Sequence, residues 1–179
     1  MIVSIIGLGY IGLPTAAILT SKGVSVIGVD IDQNTVDIIN KGEIHIIEPE
    51  LDVLVRKAVD RNLLRATIKA EKADVFMIAV PTPFKGENKP DLSYIKSAAK
   101  AIASVLEKGN LIILESTSPV GATEKMIEWM REERTDLSFP KFGDDKLKVD
   151  IAVAHCPERV LPGQVVRELV ENDRIIGGV

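Results

Sequence analysis

The 179-residue sequence is poor in the residues that build disulfides and metal sites. It holds one cysteine, Cys156, and two histidines. A single thiol cannot form an intramolecular disulfide, and this set is too small for an ordinary structural zinc site. We therefore expect no bound metal and a reducing, cytoplasmic environment. Cys156 precedes a proline at a strand end, which is more typical of a small buried side chain than of a nucleophile.

Long apolar runs and clusters of positive charge are also missing. No apolar stretch reaches the about 18 residues of a membrane span, and residues 1–6 lack the basic lead-in of a signal peptide. The 22 Lys and Arg are scattered among 26 Asp and Glu, for a net charge of −4. A nucleic-acid binder would instead gather its positive charge into one footprint. We expect neither a membrane span nor a nucleic-acid partner.

Short β-branched runs alternate with helical stretches along the whole chain. The predicted strands are residues 2–6, 25–29, 75–79, 111–114, 151–154 and 174–176. The predicted helices are residues 11–22, 33–41, 51–60, 92–107, 122–133 and 164–171. This alternation predicts an α/β fold, a Rossmann-type doubly wound parallel sheet in a single domain. Residues 134–148 mix charge with Pro140 and Gly143, which predicts an exposed loop.

A glycine motif, G-x-G-x-x-G, joins the first strand to the first helix. Gly7 permits the tight turn, Gly9 lets the backbone approach a pyrophosphate, and Gly12 allows close packing of helix on strand. Asp30 follows at the end of the second strand, where its carboxylate can accept hydrogen bonds from a ribose diol and would repel a 2′-phosphate. The combination predicts NAD, in preference to NADP, as the cofactor.

Three later loops carry the remaining functional candidates. Residues 80–84 place the Thr82 hydroxyl between two prolines, and residues 115–121 place Thr117 before a helix. Residues 155–163 put Glu158 beside Arg159. Each motif alone has a simpler reading, as a rigid turn or a helix N-cap. A dinucleotide fold also serves non-catalytic NAD-sensing modules, so the fold by itself leaves both classes open.

Taken together, these motifs resemble the UDP-glucose/UDP-N-acetylmannosamine dehydrogenase family over the whole chain. They are a Gly-x-Gly-Tyr-hydrophobic-Gly turn at 7–12, Val-Pro-Thr-Pro at 80–83, Ser-Thr-x-Pro-x-Gly at 116–121 and Pro-Glu at 157–158. Within the family, His-Cys-Pro-Glu-Arg-Val-Leu-Pro-Gly at 155–163, followed by Asn-Asp-Arg-Ile-Ile-Gly-Gly at 172–178, is similar to the UDP-N-acetyl-D-mannosamine branch. UDP-glucose enzymes usually have Phe-Leu after Pro-Glu, so UDP-glucose 6-dehydrogenase is the alternative.

The resemblance implies oxidation of a sugar alcohol to a carboxylate with two NAD and an enzyme thiol, supplied by later domains. Residues 1–179 would then be the NAD-binding domain alone, inactive without the central and C-terminal domains. The resemblance implies that the parent enzyme is a homo-oligomer whose subunit contacts come largely from the central region. Residues 1–179 without that region could therefore be a monomer. A stand-alone NAD-sensing regulatory module is the alternative from another class.

The resemblance also assigns roles by position. The cofactor-binding residues would be Gly7, Gly9, Tyr10, Ile11, Gly12, Asp30, Ile31, Val80, Pro81, Thr82 and Thr117. Thr117 would also hold a water or oxyanion near the reacting carbon, and Glu158 would assist thioester hydrolysis or orient the sugar. Arg159 and Val160, with Glu158, would line the substrate side. Two positions depart from the family: Thr35 replaces a basic residue near the adenosine phosphate, and Pro162 replaces a second acid.

Overall fold

The computed structural model describes residues 1–86, 89–141, 143 and 148–179. The strands are β1 Ile2–Ile6, β2 Ser25–Val29, β3 Leu64–Thr67, β4 Val75–Ile78, β5 Phe84–Lys85, β6 Lys89–Pro90, β7 Leu111–Leu114, β8 Ala152–His155 and β9 Gly177–Gly178. The helices are α1 Gly12–Ser21, α2 Gln33–Asn40, α3 Leu51–Asp60, α4 Ser93–Ala103, α5 Ala122–Glu133 and α6 Val165–Glu171. Among these residues, no helix has the length and apolarity needed to cross a membrane.

Seven strands form one sheet in the order β3-β2-β1-β4-β7-β8-β9. The first six are parallel, and β9 pairs antiparallel with β8. Strand order reverses at β1, which has β2 on one side and β4 on the other. A ligand in such a sheet binds at the carboxyl ends of the strands beside this reversal. The predicted Rossmann-type doubly wound sheet is confirmed.

The central strands β1 and β4 bury side chains on both faces of the sheet. Val3 and Ile5 of β1 pack with α1, α2 and α3, whereas Ile6 belongs to the cluster formed with α4 and α5. Phe76 and Ile78 of β4 join that second cluster and are fully buried. Each such side chain contributes about 1.5–3 kcal/mol on burial. Burial on both sides explains why the strands are continuous apolar runs rather than alternating ones.

Strand β3 of the main sheet and the separate two-stranded sheet of β5 and β6 were not predicted. Strand β3 alternates buried Leu64 with exposed Arg65, a pattern too short and polar to stand out. The β5–β6 pair has two residues per strand. The predicted strand at 174–176 is wrong: the Arg174 side chain turns toward Glu115, and pairing with β8 begins at Gly177. The other predicted strands are found with ends shifted by no more than one residue.

Residues 134–141 are not the exposed loop that their charge predicts. Leu137 and Phe139 are buried in the cluster with α4 and α5. The Arg134 guanidinium donates hydrogen bonds to the carbonyl oxygens of Ala103 and Leu106 at 2.8 and 2.7 Å, so α4 ends short of the predicted residue 107. Residues 142 and 144–147 of the expected loop lie outside the described residues.

Candidate cofactor and active site

The glycine turn between β1 and α1 is fixed by close backbone contacts. Gly7 donates its N–H to the carbonyl oxygen of Val29 at 2.8 Å and has a φ of +94°. A Cβ at Gly7 would lie 2.7 Å from the carbonyl oxygen of Ala79, and a Cβ at Gly12 would lie 1.8 Å from that of Gly7. Both positions exclude side chains, as the sequence predicts for a tight turn and a closely packed helix.

Gly9 differs from these two glycines because the fold itself does not require it. A Cβ at Gly9 would meet nothing within 4 Å, and Gly9 is not among the glycines with positive φ. Within the described part of the chain, no side chain caps the N-terminus of α1, whose N-cap residue is Ile11. Open space before uncapped N–H groups fits a phosphate-bearing ligand such as the pyrophosphate of NAD.

Asp30 lies at the carboxyl end of β2 and faces the glycine turn. Its Oδ2 accepts a hydrogen bond from the N–H of Leu8 at 2.9 Å, and its Oδ1 accepts one from the N–H of Asp32 at 3.0 Å. The next side chain, Ile31, is 91% exposed. A fixed carboxylate beside a bare apolar side chain suits a ribose diol and the flat face of an adenine.

The loops after β4 and β7 are joined to each other. The Thr82 hydroxyl donates a hydrogen bond to the carbonyl oxygen of Thr117. Ser116, a buried residue that sequence reasoning passed over, donates its hydroxyl proton to the carbonyl oxygen of Val80 at 2.7 Å. Two of the predicted site residues, Thr82 and Thr117, therefore lie together at the carboxyl edge of the sheet, and the Thr117 side chain is exposed there.

The loop after β8 reaches the same edge. The N–H of Glu158 donates to the carbonyl oxygen of Glu115 at 3.2 Å, directly after β7. Glu115 is fully buried and pairs through Oε1 with Nη2 of Arg174 at 2.6 Å. Sequence reasoning missed this ion pair. The two residues are 59 positions apart in the chain, so no local pattern connects them.

Burial dominates the electrostatics of this loop. Burial raises the pKa of the Glu158 carboxyl, against the backbone N–H groups of Val160 and Arg159, and the Glu115 charge acts in the same direction as burial. Burial also raises the pKa of Glu115, against its hydrogen bond with Arg174. Within the described residues, Glu158 Oε1 has no hydrogen-bond partner. A desolvated carboxylate with a free oxygen is a stronger base than one in water.

Two other predicted site residues, Tyr10 and Arg159, have exposed side chains. Tyr10 is 49% exposed. Arg159 has an exposed side chain, and its carbonyl oxygen accepts a hydrogen bond from Asn172 at 3.2 Å. Cys156 is buried, as the sequence predicts. The described residues contain no group of three or more His, Cys, Asp or Glu side chains suited to a metal ion.

Known proteins resemble this chain over nearly its whole length. Residues 1–179 match the model of the NAD-binding domain of the UDP-glucose/GDP-mannose dehydrogenase family. The chain is 67% identical to a UDP-N-acetyl-D-mannosamine dehydrogenase of Campylobacter jejuni, with 99% of this chain and 43% of that protein aligned. It is 63% identical to an NDP-N-acetyl-D-galactosaminuronic acid dehydrogenase of Ralstonia nicotianae, covering 99% of this chain and 41% of that protein.

Solved structures show the same relationship. The UDP-D-ManNAc dehydrogenase of Pyrococcus horikoshii superposes with a TM-score of 0.90 at 42% identity, over 99% of this chain and 41% of that one. The chain thus spans less than half the length of the relatives it matches. The family resemblance, the fold and the NAD cofactor predicted from the sequence are confirmed. This chain belongs to the UDP-glucose/GDP-mannose dehydrogenase family, of which it is the NAD-binding domain.

Proposed function

We propose that residues 1–179 form the NAD-binding domain of an enzyme that oxidises UDP-N-acetyl-D-mannosamine to the corresponding uronate with two NAD. The observation that carries the proposal is the meeting of three loops at one sheet edge. Thr82 is bonded to Thr117, and Glu158 is bonded through its backbone to Glu115. Bound NAD supplies the hydride acceptor, and the chain supplies the groups that hold the reactants around it.

The glycine turn and the two threonine loops form the cofactor side of the proposed site. The open space at Gly9 admits the pyrophosphate, and Asp30 accepts hydrogen bonds from the adenosine ribose. Tyr10, Ile11 and Ile31 line the adenosine end, and Val80, Pro81, Thr82 and Thr117 line the nicotinamide end. This assignment explains why Gly9 is a glycine although a larger residue would fit the fold.

The loop after β8 forms the proposed sugar side. The Glu158 carboxylate, with its pKa raised by burial, takes a proton from the water that hydrolyses a thioester or accepts a hydrogen bond from the sugar. The Thr117 hydroxyl holds that water or the developing oxyanion. Arg159 and Val160 line the sugar nucleotide. We assign the thiol itself to domains outside this chain, because Cys156 is buried.

The mannosamine sugar is favoured by sequence similarity. Relatives named UDP-N-acetyl-D-mannosamine dehydrogenase include those of Campylobacter jejuni at 67% identity and Escherichia coli at 59%. An N-acetyl-D-galactosamine nucleotide is the second candidate, because a relative at 63% identity is named for that product. UDP-glucose is less favoured: a UDP-glucose dehydrogenase of Pyrobaculum islandicum is only 28% identical.

The test is NADH formation by the full-length protein with each sugar nucleotide. We expect two NADH per UDP-N-acetyl-D-mannosamine and a higher kcat/KM than with the N-acetyl-D-galactosamine nucleotide or UDP-glucose. A reversed preference would refute the sugar assignment. We also expect a homo-oligomer in the cytoplasm, to be measured by light scattering and cell fractionation.

The isolated 179-residue domain should bind NAD and turn over nothing, since it lacks an accessible thiol. A stand-alone NAD sensor would behave in the same way but would change its affinity for a partner protein when NAD binds. Such a sensor has no need of Thr117 or of the Glu158 loop. Titration calorimetry with NAD, followed by an NADH assay with sugar nucleotide, separates binding from turnover. NADH formation by the isolated domain would overturn its assignment as an inactive part.

A further inference from the structure

The segment that carries Glu158, Arg159 and Val160 is held at its far end by a residue from the other half of the chain. Glu48 accepts two backbone hydrogen bonds at the start of α6. Its Oε2 is 2.8 Å from the nitrogen of Gly163, and its Oε1 is 2.6 Å from the nitrogen of Val165. Both carboxylate oxygens are therefore used to fix one short stretch of backbone.

Glu48 is well suited to hold this position rigidly. It lies in the connection between α2 and α3 and is only 5% exposed. A buried carboxylate is costly without partners, and hydrogen bonds to an ionised acceptor are shorter and stronger than neutral ones. The negative charge also faces the N-terminal N–H groups of α6, where it is favoured. Gly163 has a φ of +86°, a left-handed conformation that glycine adopts without strain.

The near end and the middle of the segment are held by contacts to β7 and to α6. Glu158 is tied to β7 through the carbonyl oxygen of Glu115. The N–H of Leu161 donates to Glu168 at 2.7 Å, from within α6 itself. Glu48 is different because it links the segment to the half of the sheet that carries the glycine turn. Helix α6 also packs against α1 of that half, and Glu48 adds two hydrogen bonds to the backbone just before and at the start of α6.

We propose that Glu48 is a positioning residue for the sugar nucleotide, acting through the backbone of Gly163 and Val165. Its carboxylate sets the distance between the cofactor-binding half of the sheet and the segment that presents Glu158, Arg159 and Val160. This inference rests on the proposed function, since it needs a sugar nucleotide at that segment. It assigns a role to a residue that contacts neither reactant.

The test compares Glu48→Ala and Glu48→Gln with Glu43→Gln in the full-length enzyme. Glu43 is exposed in the same connection and serves as the matched control. We expect Glu48→Ala to lower kcat/KM for the sugar nucleotide by about tenfold or more, because small misplacements of reacting groups are costly. Glu48→Gln, which keeps one acceptor oxygen, should lose less. The dissociation constant for NAD should stay within about twofold of the wild-type value, because the glycine turn and Asp30 are untouched.

Hydrogen exchange of the same variants gives a second measurement. The amides of Gly163 and Val165 should exchange faster in both Glu48 variants and at the wild-type rate in Glu43→Gln. If Glu48→Ala does not fold, Glu48→Gln carries the test alone. The role of Glu48 would be overturned if the wild-type enzyme is active and the Glu48 variants keep its kcat/KM. It would also be overturned if the variants lose NAD affinity by the same factor as they lose kcat/KM. A wild-type enzyme that oxidises no sugar nucleotide would instead overturn the proposed function, and this inference with it.

Discussion

Two glycines of the same turn should respond in opposite ways to alanine. At Gly12 the added Cβ would lie 1.8 Å from the carbonyl oxygen of Gly7, where 3.0 Å is the shortest spacing that real Cβ atoms show. The obstacle is backbone, so it cannot rotate away. At Gly9 the added Cβ would meet nothing within 4 Å. Gly12→Ala should therefore damage the fold, and Gly9→Ala should damage only ligand binding.

The magnitudes follow from the two environments. Overpacking costs about 1–3 kcal/mol or more, and an obstacle of backbone at Gly12 belongs at the upper end. A loss of about 3 kcal/mol lowers Tm by about 6–12 °C for a chain of this length. At Gly9 the φ is not positive, so alanine should stabilise by up to about 1 kcal/mol by restricting the unfolded chain. A methyl in the space assigned to the pyrophosphate should weaken NAD binding at least about tenfold, or about 1.4 kcal/mol.

The two effects are separated by thermal unfolding without ligand and by calorimetric titration with NAD. Gly9→Ala should unfold at or slightly above the wild-type Tm and bind NAD weakly. Gly12→Ala should unfold at a lower temperature. A Gly9→Ala variant with wild-type NAD affinity would refute the placement of the pyrophosphate. A Gly9→Ala variant as unstable as Gly12→Ala would show that the space beside Gly9 is needed by the fold.

Three further predictions concern charged groups. Asp30→Ala should weaken NAD binding by about tenfold and narrow the preference for NAD over NADP, measured by titration with both nucleotides. Arg174→Met should lower the free energy of unfolding, measured in urea, by about 3 kcal/mol, because it leaves the buried Glu115 carboxylate unpaired. The double variant Arg174→Met/Glu115→Gln should recover most of that loss. If the losses of the two single variants simply add in the double variant, the pairing is contradicted. The hydrogen bond with Lys85 lowers the pKa of Asp91 to about 2. The ionised Asp91 should therefore stabilise the fold fully above about pH 4, and this stabilisation should disappear as the pH falls toward 2. The Tm difference between wild type and Asp91→Asn should shrink over that range, and a constant difference would count against the ion pair.

The sequence predicted those parts of the fold whose signal is local. Strand β1, the glycine turn and Asp30 are read directly, because a buried parallel strand, a steric requirement for glycine and a strand-end acid each leave a pattern in a few residues. The continuous apolar strands β4 and β7 are equally plain. The order of these strands in the sheet, with β4 between β1 and β7, was not predicted from the sequence.

The parts that escaped prediction depend on partners distant in the chain. Glu115 and Arg174 are ordinary charged residues until the sheet brings them together at 2.6 Å. Glu48 looks like a surface acid in a loop, and only the position of α6 makes it a buried acceptor. Leu137 and Phe139 stand in a charged stretch whose composition hides their burial. Periodicity cannot reveal such contacts, because neither partner alone departs from the expected pattern.

The two hydrogen bonds of Glu48 also bear on how the protein is made. Gly163 and Val165 are separated from Glu48 by 115 and 117 residues. A ribosome adding about 5–20 residues per second synthesises Glu48 several seconds before the N–H donors of Gly163 and Val165. During that interval the strands β1 and β2 can already pair, while the carboxylate remains in water. The contact is thus among the last to form within this domain, and it closes the domain only after the loop with Glu158 has emerged.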